Sequence, residues 1–242
     1  MSYRPNPGNS LNLKGSIAYN SHPPTLNDLY YFPGGNPELK SEKGIQVDID
    51  ASDHFVIGNA SLQTGLSVFH SNINNWIIWL PSFQGYWEPF NLDKVRSFGT
   101  EANVQFSGHY KSVRYKIKAN YAFTSTINQT EHSPAFGKQL PYIPRNSANL
   151  NFHCDFAPFY IDWMWNYYSK RYTTTANSSE TISDYLYPYL MNNLQIGILF
   201  PLTANQLKTE FKILNIFDEQ YRTVLQRPMP GRNFQIILSY DF

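Results

Sequence analysis

The chain has 242 residues, enough for one large domain, yet only 15% are charged where about a quarter is usual for a soluble globule. The formal net charge of +1 excludes a nucleic-acid-binding charge excess and an acidic tail, and the 17% aromatic share excludes intrinsic disorder. Apolar clusters such as Trp76 to Leu80 are far shorter than the roughly 20 residues a membrane helix needs.

The first twenty residues, Met1 through Asn20, are polar and turn-rich and lack the basic start, apolar middle and small-residue cleavage site of a secretory signal. Strict alternation explains nearly all ordered segments, so strands are read by parity. They are expected near residues 11 to 20, 43 to 52, 61 to 72, 97 to 107, 113 to 124, from Ala148, 159 to 170, 187 to 199, from Leu207, and from Phe234 to the end. The clearest is Val113 to Thr124: Val113, Tyr115, Ile117, Ala119, Tyr121 and Phe123 fall on one face. Arg114, Lys116, Lys118, Asn120, Ala122 and Thr124 fall on the other. The single cysteine, Cys154, cannot form an internal disulfide, so cysteine usage leaves the redox compartment unread.

The links alternate in length. Short ones are Asp53 to Ala60, Gly108 to Ser112, Phe156 to Pro158 and Pro201 to Gln206. Long ones are Ser21 to Glu42, Asn74 to Arg96, Ser125 to Ile143, Arg171 to Leu186 and Ile216 to Arg232. Turns at one end and loops at the other are the habit of outer-membrane β-barrels, and about ten residues per tilted strand span an apolar band of about 25 Å. A Lys or Arg facing lipid at mid-depth costs about 2–4 kcal/mol, so Arg114, Lys116 and Lys118 are assigned to the lumen. His70 and Asn192 share parity with outward residues, which calls for an interfacial position or a bulge. Aromatics expected at the headgroup girdles are Tyr19, Tyr121, Phe123, Tyr167, Tyr168, Tyr185, Tyr187, Tyr189, Tyr240 and Phe242.

Enzyme chemistry is hard to find. There is no HExxH, GxSxG, phosphate-cradling glycine loop or zinc-spaced Cys/His set, and no motif that asks for a cofactor or metal. The six histidines (22, 54, 70, 109, 132, 153) are scattered, and Asp53 and Asp93 are too far apart to argue a calcium site. Lumenal Asp48, Asp50, Glu101 and Glu210 facing Lys116, Lys208 and Lys212 read better as solvated charge ladders than as catalytic groups. For ligand contact the best candidate is the Asn74 to Arg96 loop, which carries Trp76, Trp79, Phe83, Tyr86, Trp87 and Phe90, suited to stacking on a macrocycle, catecholate or sugar. Packing among the loops themselves is the competing reading of those rings.

Two stretches go beyond composition. The first is Pro24-Thr25-Leu26-Asn27-Asp28-Leu29-Tyr30 followed by Gly35-Asn36-Pro37-Glu38-Leu39-Lys40-Ser41-Glu42. The second is Asn215-Ile216-Phe217-Asp218-Glu219-Gln220-Tyr221, then Pro228-Met229-Pro230-Gly231-Arg232-Asn233-Phe234. In order and spacing they resemble the C-terminal barrel portion of TonB-dependent outer-membrane receptors, with His22-Pro23 and Ser41 departing from the usual first motif. Pro141-Tyr142-Ile143-Pro144-Arg145 looks like a segment of the cobalamin-receptor-like branch.

The resemblance implies an all-β, antiparallel transmembrane barrel portion of about ten strands, residues 1–242, open unless completed by further N-terminal strands of a barrel of about 22. It implies a Gram-negative outer-membrane location and a part in uptake of a scarce solute such as a siderophore, cobalamin or glycan, without enzymatic activity. Partners implied are membrane lipid, the missing N-terminal strands and plug, TonB only through that plug, and the barrel-assembly machinery, but not nucleic acid. Signal peptide and plug are read as absent, the mark of a split or truncated gene. Phe234, Tyr240 and Phe242 resemble the assembly signal. Gly35, Asn36, Pro37, Pro230 and Gly231 are also turn chemistry in any family, and Asn215 and Asp218 suit loop backbone donors. Two other architectures remain at this stage: a closed ten-stranded barrel serving as surface enzyme or adhesin, in which residues 11–19 pair with 233–242, and a soluble β-sandwich binding module of two stacked sheets.

Overall fold

A computed structural model describes residues 2–3, 10–201 and 206–241. Its elements are β1 (Ser2–Tyr3), β2 (Asn12–His22), α1 (Leu26–Tyr30), β3 (Glu42–Ile57), β4 (Ala60–Pro81), β5 (Trp87–Tyr110), β6 (Val113–Asn128), β7 (Asn146–Phe156) and β8 (Phe159–Tyr168). These are followed by β9 (Arg171–Tyr172), β10 (Tyr185–Leu186), β11 (Tyr189–Pro201), β12 (Gln206–Leu214), β13 (Arg222–Val224), β14 (Arg227–Pro228) and β15 (Asn233–Asp241).

Ten long strands pair antiparallel, each with its neighbour in sequence, in the order β2-β3-β4-β5-β6-β7-β8-β11-β12-β15, with β1 added over two residues at the β2 edge. β2 and β15 stand at opposite ends and share no pair among the described residues, so the sheet is open and the closed ten-stranded barrel is ruled out. The sandwich fails too: the strands form one large sheet with two short ribbons, β9–β10 and β13–β14, rather than two stacked sheets.

Turns are tighter than expected because the strands run on. Ile57 pairs with Ala60, Tyr110 with Val113 and Phe156 with Phe159, leaving two-residue links at each place. Gly58 has φ +57°, the backbone that two-residue hairpin turns of the primed type demand and that side chains resist. At the other end the supposed loop Asn74 to Arg96 is mostly strand: β4 and β5, of 22 and 24 residues, continue as one hairpin to Pro81 and Trp87. At roughly 3.3 Å per residue this hairpin stands well beyond its neighbours.

Parity assigns the two faces as expected. Across the sheet Ile17, Val47, His70 and Phe98 form one unbroken row. His70 therefore sits on the apolar face without a bulge, and the residues beyond it on that face, Asn72 and Asn74, mark the margin of the apolar stretch. Asn192 pairs with Trp165 in unshifted register, so a bulge is excluded there as well. Tyr168 and Tyr189 depart from the girdle expectation: they pair with each other on the polar face, rings 5.3 Å apart, because their parity is that of Asn166 and Met191.

Burial is inverted relative to a globule. Apolar side chains such as Ile17 (75% exposed) and Ile236 (73%) point outward uncovered, and among the described residues six of the seven buried hydrophobics (Val95, Ile127, Ala135, Leu140, Leu186, Tyr189) lie at the long-loop end. The polar face holds the charge ladders. Asp50 accepts from Ser67 Oγ at 2.6 Å, Asp48 from Gln46 Nε2 at 2.8 Å, and His153 sits 2.6 Å from Asp162 and 3.1 Å from Asp155. The Tyr160 ring lies flat over Gly197, where any Cβ would collide with it, and its hydroxyl donates to Glu210 at 2.6 Å. Phe234 and Tyr240 are outward on the edge strand β15, while Phe242 lies outside the described residues.

Candidate functional site at the long-loop end

The β4–β5 hairpin is set by Asn75, whose φ of +58° twists the strand so that the ladder skips Asn75 and Asp93 and resumes at Trp76 and Leu92. Beyond this twist Trp76, Trp79 and Trp87 converge on one apolar cavity of 460 Å³ with Ile77 and Ile78. Its far wall comes from Leu140, Pro141, Tyr142 and Ile143 of the β6–β7 loop and from Val224 of β13. Tyr142 packs against Trp87 with ring centroids 5.9 Å apart. Phe83, fully exposed, and Phe90 do not line the cavity, and Tyr86 packs instead against Gly34.

The first motif holds the hairpin. Thr25 caps α1 in a reciprocal capping box with Asp28, and the buried Asp28 carboxylate accepts the Trp79 indole N–H at 2.8 Å. Burial alone would raise the Asp28 carboxyl, but the hydrogen bonds from Thr25 and Trp79 outweigh it and hold the group below its ordinary value. Tyr31 meets Trp79 edge-on at 5.9 Å. Gly35 has no room for a Cβ beside the Tyr30 and Tyr31 backbone, and Asn36 Nδ2 donates to Pro89 O at 3.3 Å. Pro24 precedes the cap, Pro37 follows Asn36, and Leu29 and Tyr30 lie on α1 with Tyr30 exposed.

The opposite wall is tied by loop-to-loop hydrogen bonds. Tyr142 N–H donates to Tyr172 O at 2.7 Å, and Gln139 N–H to Asn177 Oδ1 at 2.7 Å. Arg171 is buried, lies 5.1 Å over the Tyr189 ring and donates from Nη2 to Arg222 O at 2.8 Å. Its Nε has no partner among the described residues, and burial pulls the guanidinium below its ordinary value. Burial pushes the Tyr142 phenol up.

The second motif is a structural knot outside the cavity. Asn215 Oδ1 accepts from Glu219 N–H at 2.8 Å and Asn215 Nδ2 donates to Glu219 O at 3.0 Å, with φ +54° at Asn215 and +55° at Asp218. Arg232 N–H donates to Asp218 Oδ1 at 2.7 Å, directly over Gly231, where a Cβ would stand 2.6 Å from that oxygen. Arg232 Nη1 reaches Ile216 O at 3.3 Å, and Tyr221 packs against Tyr189 at a tilt, ring centroids 4.8 Å apart. Pro230 precedes Gly231, and Phe217 points away, exposed, on the apolar side.

Sequence reasoning named the three tryptophans but missed the role of Val224, Tyr31 and Arg171, which reach this end only through tertiary folding. The Pro141-Tyr142-Ile143 segment was noticed only for its resemblance, and the cavity wall is where the structure places it.

Residues 1–216 match the family described as TonB dependent receptor-like, beta-barrel. The chain is 25% identical over 225 residues to the vitamin B12 transporter BtuB of Photobacterium profundum, covering 90% of this chain and 33% of that protein. Identity is also 25% over 234 residues to BtuB of Vibrio vulnificus, covering 90% and 33%. The chain thus spans about a third of the length of these relatives. Among solved structures, the copper transporter OprC superposes with a TM-score of 0.74 at 17% identity over 97% of this chain and 37% of the other. The ferric-catecholate import receptor Fiu of E. coli gives 0.68 at 16% over 99% and 34%. At such identities the structural likeness speaks to fold alone.

Proposed function

Since this chain belongs to the TonB-dependent receptor-like β-barrel family, we propose that it forms ten adjacent wall strands of an outer-membrane import receptor and the binding mouth above them. The membrane is the environment that suits a sheet with an uncovered apolar face and a polar face of paired charges. The two open edges call for further strands, because unpaired backbone groups cost several kcal/mol each in hydrocarbon. Those strands, and a plug through which TonB acts, belong to the rest of the receptor. Phe234, Tyr240 and Phe242 serve as the assembly signal. The role is uptake of a scarce solute rather than catalysis.

The observation that carries the binding role is the 460 Å³ cavity walled by Trp76, Trp79, Trp87 and Tyr142, within the size range of small-molecule sites. Flat indole faces suit the apolar or conjugated face of a cobalamin, siderophore or sugar ring. The test is growth of cells dependent on the receptor that contains this chain, with cobalamin, a ferric siderophore or a glycan as the limiting solute. Trp76→Ala with Trp87→Ala is expected to abolish use of one of these while leaving surface display intact. Undiminished use of every solute by both this variant and a deletion strain overturns the reading.

A further inference from the structure

The apolar face carries a feature that the solute site does not use. A groove of 600 Å³ opens on it, lined by Leu150, Trp163, Trp165, Leu190 and Phe217 together with Asn192 and Glu219. It lies between β7, β8 and β11, in the interior of the sheet, so strands added at either edge leave it unchanged. Leu190, Trp163 and Phe217 are exposed on the same side, opening the groove to whatever solvent the apolar face meets.

Phe217 is held over the face by its neighbours. Ile216 N–H donates to Asn192 O at 2.9 Å and Asn215 N–H to Asn193 Oδ1 at 2.9 Å, which pins the start of the Asn215–Tyr221 knot onto β11. Beneath it Asn192 is 6% exposed on the apolar parity, and among the described residues its side-chain amide makes no hydrogen bond. Asn192 lines the groove, so hydrocarbon filling it would leave the amide without a hydrogen-bond partner, which is costly. Asn192 offers one acceptor and two donors, the pairing that another amide satisfies reciprocally. Glu219 adds an anionic acceptor at the rim, which favours an N–H donor and repels a phosphate.

We infer that this groove binds one acyl chain of a membrane lipid joined to its headgroup through an amide, the chain lying between Trp163, Trp165 and Phe217 and the amide pairing with Asn192. This rests on the membrane-wall reading. The test uses the tagged chain extracted from membranes with the strands that complete its sheet, in phosphatidylcholine vesicles. Each vesicle carries, at equal mole fraction, a brominated acyl chain that is either amide-linked in an N-acyl lipid or ester-linked in phosphatidylcholine. Bromine quenches indoles on contact, and the signal lost in Trp163→Phe with Trp165→Phe isolates the groove from the loop tryptophans. The amide-linked lipid is expected to be enriched about fivefold over the ester-linked one, the worth of one net hydrogen bond, with the preference gone in Asn192→Leu and weakened in Phe217→Ala. Equal quenching by both lipids overturns the inference and leaves the membrane wall standing, as does a preference that survives Asn192→Leu. Absence of quenching by either lipid overturns the membrane wall itself.

Discussion

The Trp79 indole N–H donates to the Asp28 carboxylate at 2.8 Å across 51 residues of sequence. One carboxylate thereby closes a capping box and docks a 22-residue strand's tip onto a one-and-a-half-turn helix. The helix is too short to persist unaided, so its geometry depends on this contact. Asp28→Ala is expected to cost about 1 kcal/mol through the lost cap, with further loss from the unpaired indole. Amide hydrogen exchange over residues 26–31 should rise while the sheet stays protected.

The same pair predicts a pH dependence. Asp28 is held below its ordinary value in the folded protein. The stability it contributes is therefore complete above the unfolded value of about 4 and is lost as pH falls through the lowered folded value. Trp79 emission should hold constant through neutrality and shift only in acid, and Asp28→Asn should abolish that transition. A transition centred near neutrality contradicts the assignment.

Strand parity was legible because Lys and Ile tolerate no exchange of faces: Lys116, Ile117 and Lys118 stand where alternation puts them. Strand ends were not. Asn74 to Arg96 looked like a loop for its mixed polarity, yet it is a hairpin that leaves the sheet and so loses the two-faced pattern while keeping its ladder. Tyr168 and Tyr189 look like girdle residues from composition, whereas one step in parity turns them inward onto Arg171. Of the loop-end cavity, the indoles were visible as a local cluster. Tyr142 and Val224 were not assigned to it, being 55 and 137 positions beyond Trp87 and brought there by two other loops.

Gly197 and Tyr160 are a matched pair on the polar face. A Cβ at 197 would occupy the ring's place, so Gly197→Ala must expel Tyr160 and break its hydrogen bond to the buried Glu210. Tyr160→Phe removes that bond alone and is expected to cost about 2 kcal/mol, as for bonds to charged groups. Gly197→Ala should cost more, and combining it with Tyr160→Ala should cost less than the sum of the two. Urea-unfolding midpoints of the parent, Tyr160→Phe, Gly197→Ala, Tyr160→Ala and the combined variant decide it, and strict additivity would show that the ring does not rest on Gly197.

Arg171 joins the β9 segment to β13 through one bond to the Arg222 carbonyl, with aromatic rings around it. Arg171→Lys keeps the charge but not the planar fork that reaches the carbonyl while lying over Tyr189. Both Arg171→Lys and Arg171→Met are expected to raise hydrogen exchange over residues 222–228 and to loosen Val224 from the cavity wall, without altering protection in β6 or β7. Unchanged exchange in that ribbon would show that the loops are held by other contacts.

The two faces of β6 make the strictest test of the membrane reading, because adjacent residues carry opposite predictions. Ile117 points to the apolar face between Phe106 and Phe152, and Lys116 to the polar face between Ser107 and His153. If the apolar face meets hydrocarbon, Ile117→Lys places an ammonium at mid-strand at a cost of about 2–4 kcal/mol, whereas Lys116→Leu changes only a solvated ladder. The expected result is that Ile117→Lys lowers the folded, membrane-inserted fraction by at least an order of magnitude, measured by protease resistance in isolated membranes, while Lys116→Leu inserts like the parent. In water the preference would be reversed, since a lysine on an exposed apolar face improves solubility and a leucine on the polar face reduces it. The sign of the difference between these two neighbouring substitutions therefore distinguishes a lipid-facing sheet from a water-facing one.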